Sequence, residues 1–213
     1  MKEQALAAVA REYFALPASD VSWPNPHPDR RSVLDEEYSR VTNPPRYRIV
    51  GARAIAWERA LVGLGLATVE PAEVPGRWFV PRAATASRLV PTTVGALPLI
   101  VVRGEVQGTP DAVITVGVGA REPIYLGMEP DCGCDACDSG SADLLAAIDE
   151  RYLTVVAGNF VHATGRGWSA HTNHNGWEGN GRTPAGIELT FSNALAGRPV
   201  KVPVITGTAW WPV

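Results

Sequence analysis

Three runs decide the fold: Leu97-Pro-Leu-Ile-Val-Val-Arg-Gly-Glu-Val106, Ala112-Val-Ile-Thr-Val-Gly-Val118 and Pro123-Ile-Tyr-Leu-Gly-Met128. They are rich in Val, Ile and Leu, side chains that suit a pleated, packed surface. Gly108-Thr-Pro-Asp111 and Gly119-Ala-Arg-Glu122 separate them. Connections of about four residues are too short for a parallel crossover, so the runs are expected to pair in order as an antiparallel meander.

Helical patterns flank this block. Residues 2–16 place Leu6, Val9, Ala10, Tyr13 and Phe14 at helical spacing, with Pro17 just beyond. Residues 47–66 put Ile55, Trp57, Ala60, Leu61 and Leu64 on one stripe, and Gly63 and Gly65 mark the end. Residues 142–157 give a third apolar face through Leu145, Ile148, Tyr152, Val155 and Val156. Between the first two helices runs Trp23-Pro-Asn-Pro-His-Pro28, whose alternate prolines enforce extended or turn geometry. Residues 32–40 are expected to make one or two helical turns.

After the third helix, 159–164 and 167–172 read as a hairpin turned at Gly165-Arg166. Asn175-Gly176 and Asn180-Gly181 mark 173–186 as loop. Residues 187–191 and 200–204 read as late strands, and Trp57, Trp168, Trp210 and Trp211 are expected to bury most of their surface. Helices, then strands, then a helix, then strands is an α+β pattern: an antiparallel β-meander sheet with helices packed on one face. The expected organisation is a single domain over 1–213. It comprises an N-terminal helix and Pro-rich connector (1–40), a core (41–172) and a loop-rich C-terminal extension (173–213).

Composition bounds the function. The 213 residues carry 46% apolar side chains, enough for a sizeable core, and a net charge of −3, which supplies no basic field for nucleic acid. The longest apolar runs are strand-sized, well short of the ~20 residues of a membrane span. The start, Met1-Lys-Glu, reads as a helix and not as a signal peptide. The expected location is therefore the cytoplasm, where thiols stay reduced. No GxxxxGK[ST], HExxH or GxSxG occurs.

The one dense chemical feature is Pro130-Asp-Cys-Gly-Cys-Asp-Ala-Cys-Asp-Ser-Gly-Ser-Ala-Asp143, which gathers every cysteine of the chain as Cys132, Cys134 and Cys137. Soft thiolates suit Zn²⁺, which takes four ligands in a tetrahedron. A fourth could come from His162, His171 or His174, or from a neighbouring aspartate, giving a Cys3His structural site. Two other readings stay open. The loop could pack without metal, with Asp138, Ser139 and Ser141 capping the following helix. Alternatively, a cysteine near that helix N-terminus could have a lowered pKa and do redox or nucleophilic chemistry. The aspartate spacing does not follow an EF-hand, and the bidentate Glu that closes one is missing.

From about 40 to 171 the chain resembles a family of actinobacterial proteins known only as a domain of unknown function. The residues that carry the resemblance are Arg40-Val-Thr-Asn-Pro-Pro-Arg-Tyr47, Leu89-Val-Pro-Thr-Thr93, Gly95-Ala-Leu-Pro98, the cysteine loop and Gly167-Trp-Ser-Ala170. The resemblance implies an intact family domain and brings no activity or site residue with it. The functional expectation is a non-catalytic cytoplasmic protein acting by contact with a partner protein or as a homodimer, its loop holding structural zinc. The alternative is a metal- or thiol-dependent enzyme built on residues 132–137. Neither nucleic acid nor membrane is an expected partner.

Overall fold

The computed structural model describes residues 1–28, 33–76, 78 and 83–211. Ser32 at the start of the expected helical turns, and Pro212 and Val213 at the tail, fall outside the described residues.

The meander is present and longer than the sequence shows. Strands β1 (Ala67–Ala72), β2 (Thr85–Pro91), β3 (Leu99–Val106), β4 (Thr109–Val118) and β5 (Ile124–Glu129) form one sheet in sequence order, every neighbour antiparallel. The turn between β3 and β4 is Gln107-Gly108, both at positive φ, so Thr109 to Asp111 join the strand and are not part of the connection. β3 and β4 are buried along most of their length on both faces. That explains why they read as continuous apolar runs and not as alternating ones.

Two helices lie against this sheet, α2 (Arg48–Gly63) and α3 (Ser141–Val156), and α1 (Lys2–Phe14) packs on α2. They build one core with the inward residues of the strands, Leu99 and Val101 from β3 and Ile114, Val116 and Val118 from β4. α2 can lie close to β4 because Gly51 faces the backbone of Asp111. A Cβ there would come within 2.6 Å of the Asp111 carbonyl oxygen. Trp57 of α2 stacks on Tyr152 of α3, 4.9 Å between centroids, and donates to Asp149 at 2.8 Å.

A second sheet was not expected. β6 (Val161–Gly165) and β7 (Trp168–Asn173) form the predicted hairpin, and β8 (Gly176–Gly181) and β9 (Val204–Thr206) extend it to the order β8-β7-β6-β9. Three readings are corrected here. Within 173–186, residues 176–181 form a strand, because the ladder with β7 satisfies their backbone even though the residues are turn formers. Residues 187–191 belong to a helix, α4 (Ile187–Leu195), whose Ile187 and Phe191, one turn apart, pack on Val161, Ala163 and Ala170. The late strand runs 204–206 and not 200–204.

The tail returns to the large core. Trp210 is fully buried there; its backbone N–H donates to Val156 at 2.9 Å and its indole N–H to the Leu97 carbonyl at 3.2 Å. Trp57 is likewise fully buried, while Trp168 and Trp211 are half-buried. No helix among the described residues is long and apolar enough to cross a membrane.

Candidate metal centre

The chain leaves β5 at Glu129, runs through the cysteines, makes a 3-10 turn at Asp135–Cys137 and enters α3 at Ser141. Gly140 precedes the helix at φ +88, and a Cβ there would sit 2.6 Å from the Asn25 nitrogen. Only glycine meets both demands, positive φ and close approach to the Pro-rich connector.

Two aspartates hold this loop, and they do so by long-range contacts. Asp135 accepts from the Arg40 Nε at 2.7 Å, the Thr42 backbone N–H at 2.9 Å and the Thr42 hydroxyl, while its own N–H donates to the Arg40 carbonyl at 2.7 Å. Burial alone would raise its carboxyl. The hydrogen bonds from Thr42 and Arg40 outweigh that and hold it at about 2. Asp138 accepts from the Trp23 indole at 2.9 Å, the Gly140 N–H at 2.8 Å and Arg46 at 2.7 Å. The Arg46 guanidinium also lies over the Trp23 and Tyr47 rings, 4.8 and 5.1 Å from their centroids. Tyr47 donates to the Gly133 carbonyl at 3.3 Å.

Helix capping is not what these residues do. The cap position is Gly140, with no side-chain cap, and Ser141 bonds the backbone N–H and carbonyl of Trp23 at 3.1 Å each. The aspartates, which in isolation would oppose thiolate formation, are paired with Arg40 and Arg46, so their charge is offset where the sulfurs sit.

The sulfurs converge. Those of Cys132, Cys134 and Cys137 all lie within 4.8 Å of one another, with Cys132 and Cys134 3.1 Å apart. A tetrahedral ion with metal–sulfur bonds of ~2.3 Å spaces its sulfurs by about 3.8 Å, so the set is of the right size. Cys134 is buried, and Cys132 and Cys137 are exposed. Burial pushes the Cys134 thiol up, but hydrogen bonds from Cys132, Cys137 and the backbone N–H groups of Cys137 and Ser39 outweigh it and leave it lowered. Cys137, the partner that keeps its proton toward Cys134, is pushed up to about 12 by that hydrogen bond and by burial. The cluster therefore favours ionisation at Cys134 over Cys137.

Cys132 and Cys137 open onto a pocket of about 240 Å³, whose wall includes Tyr47, Glu129, Asp131 and Asp143. Burial raises the Glu129 carboxyl; Arg151, donating at 3.0 Å, opposes the rise without cancelling it.

The histidines expected as a fourth ligand stand elsewhere. Among the described residues the converging donor set is the three sulfurs. His162 on β6 and His171 on β7 are direct cross-strand partners in the small sheet. His174 is exposed in the turn between β7 and β8. His27 of the Pro-rich connector reaches the loop instead, its Nε2 3.1 Å from the Asp135 carbonyl oxygen. Sequence reading missed Trp23, His27, Arg40, Thr42 and Arg46 as supports. The signals for them were the Trp-Pro-Asn-Pro-His-Pro segment for Trp23 and His27 and the Arg40–Tyr47 motif for the others.

A family of unknown function, DUF6226, matches residues 9–213. The chain belongs to this family. The match takes in the C-terminal stretch from 173 onward, which the motif resemblance over 40–171 did not cover. No curated protein and no solved structure matches the chain. For DUF6226 the chemistry must therefore come from the geometry of the loop.

Proposed function

We propose that the chain binds a thiophilic divalent ion, Zn²⁺ above all, through Cys132, Cys134 and Cys137. The observation that carries this is the convergence of three sulfurs within 4.8 Å on a loop fixed by two ion-paired aspartates. Three protein ligands leave a fourth position, and two of the three sulfurs face the pocket under Tyr47 and Glu129. Water or a small ligand completes such a set, which is the arrangement of a reactive site more than of a closed structural one. A bound ion would supply Lewis acidity at that position. The chain's own part is to hold the sulfurs, to neutralise the flanking aspartates with Arg40 and Arg46, and to line the pocket with Glu129, whose carboxyl burial raises.

The test is zinc content by elemental analysis of reduced protein purified without a metal-affinity step. A zinc content that falls by about one equivalent in Cys134→Ser supports the reading; a zinc content that Cys134→Ser leaves unchanged, or no zinc uptake at all, refutes it.

A second reading, contact with another copy of the chain, draws on the outer face of α4. Leu189 there is 67% exposed, and Trp177, Phe191 and Leu195 line an adjoining apolar groove. Light scattering of the wild type and Leu189→Glu checks it: a dimer that the substitution dissociates supports the contact, and a monomer at every concentration rejects it.

A further inference from the structure

The small sheet carries an arrangement that the cysteine loop does not use. Register places His162 of β6 opposite His171 of β7, and His171 opposite Glu178 of β8. Direct partners in an antiparallel ladder share a face, so the three side chains form one row across three strands. The opposite face holds Val161, Ala163 and Ala170 against α4. The histidine face looks instead toward β5, where it encloses a cleft of about 380 Å³ lined by Tyr125, Ser169 and Asn180 as well as the row.

The row is unsatisfied in a specific way. The His171 side chain is 10% exposed, and its Nε2 lies 2.8 Å from Oε1 of Glu178. The two atoms are close enough to share a proton, yet the approach is out of line for a well-formed hydrogen bond. Nδ1 of His162 is buried without a partner. An imidazole nitrogen and a carboxylate oxygen at this spacing can both ligate one ion. Burial keeps both imidazoles toward their neutral form, the form that ligates metals. Arg151, whose charge acts on His171, is already engaged by Glu129 and the Leu126 carbonyl.

We infer that His162, His171 and Glu178 form a second metal site in the cleft between the two sheets. Two imidazoles and one carboxylate suit a borderline divalent ion such as Zn²⁺, Ni²⁺ or Fe²⁺, in contrast with the all-sulfur set at the loop. The His162 and His171 rings are 6.3 Å apart between centroids. Full convergence requires the His162 ring to turn, and the cleft beside it leaves room for that. Water fills the remaining positions.

The site is independent of the cysteine loop, and so is its test. Zn²⁺ is titrated calorimetrically into the variant carrying Cys132→Ser, Cys134→Ser and Cys137→Ser. One binding event is expected to survive there. Adding His171→Ala should abolish it, adding Glu178→Gln should weaken it by about tenfold or more, and adding His174→Ala should leave it unchanged. No Zn²⁺ binding in the folded triple variant, or equal binding with and without His171, overturns the inference. Should the triple variant not fold, the wild type is followed by long-range ¹H–¹⁵N spectra of its imidazoles as Zn²⁺ is added. Metal-induced shifts of His162 and His171 sustain the site, and unshifted imidazoles at saturating Zn²⁺ overturn it.

Discussion

The cysteine turn and the histidine row gather their donors in opposite ways. The turn takes three sulfurs from six consecutive residues, so chain connectivity alone keeps them near each other. What the fold adds is a clamp: Asp135 and Asp138 reach back some ninety to a hundred and fifteen positions to Arg40, Thr42, Arg46 and Trp23. The row takes one residue from each of three strands, so nothing but register brings it together. A site of the first kind survives local loosening while its clamp holds. A site of the second kind lasts only as long as the sheet does. The two differ correspondingly in what should damage them.

The largest effect is expected at Trp210, which anchors the segment after β9 in the large core. Trp210→Ala removes a fully buried indole and its bond to the Leu97 carbonyl, at a cost of about 4 kcal/mol. For a chain of this size that is roughly 8–16 °C in Tm. Thermal unfolding of the variant measures it, and a shift near zero would show that the tail is not part of the core. Because β9 pairs with β6, hydrogen exchange on β6 should rise as well, while the loop at 132–137, clamped from the N-terminal side, should keep its protection.

Next comes the clamp. Asp138→Ala strips a side chain that is 4% exposed from three donors and leaves Arg46 only the more distant Asp135, 3.9 Å away, as a charge partner. Breaking such a pair from one side costs about 3 kcal/mol, and denaturant unfolding reads it. If instead the variant is as stable as wild type, the loop is held by something other than its ion pairs.

A smaller change is expected from the sulfurs themselves. Cys134→Ser in metal-free protein should lose only about 1 kcal/mol, the packing of one small buried side chain. In zinc-loaded protein the loss should be larger, since bound metal stabilises the fold by mass action. Adding a chelator should lower the Tm of the wild type by more than that of Cys134→Ser, which keeps only the histidine row to hold metal. Equal chelator sensitivity in both would place the metal elsewhere.

The smallest effect is His171→Ala without metal. Glu178 is exposed enough to rehydrate, so the cost should stay near 1 kcal/mol, mostly packing against Phe160. A loss several times larger would mean that the row is a structural ion pair holding the sheet, which equilibrium unfolding distinguishes directly.

The same contrast explains what the sequence discloses. β3, β4, β5, α2 and α3 are legible because their residues carry the signal themselves: Val-rich runs with short turns, and apolar stripes at helical spacing. β8, Gly176-Trp-Glu-Gly-Asn-Gly181, is not, because its residues are turn formers that become a strand only through β7. α4 misleads because Ile187, Leu189 and Phe191 alternate like a strand, whereas burial picks out Ile187 and Phe191 at helical spacing. The cysteine cluster is plain in the sequence, while its clamp rests on contacts about a hundred residues apart that no local pattern marks. His171 and His174 look paired by spacing, yet His171 faces His162 across the ladder.

The central claim, a three-thiolate metal centre, is tested most directly by cobalt. Co²⁺ added to the reduced protein is followed through the thiolate-to-metal charge-transfer absorption, which nitrogen and oxygen ligands do not give. The account predicts a band of three-thiolate intensity that saturates at one equivalent, disappears on adding excess Zn²⁺ and is absent in Cys134→Ser. No charge-transfer band at saturating Co²⁺, or a band untouched by Cys134→Ser, would contradict it.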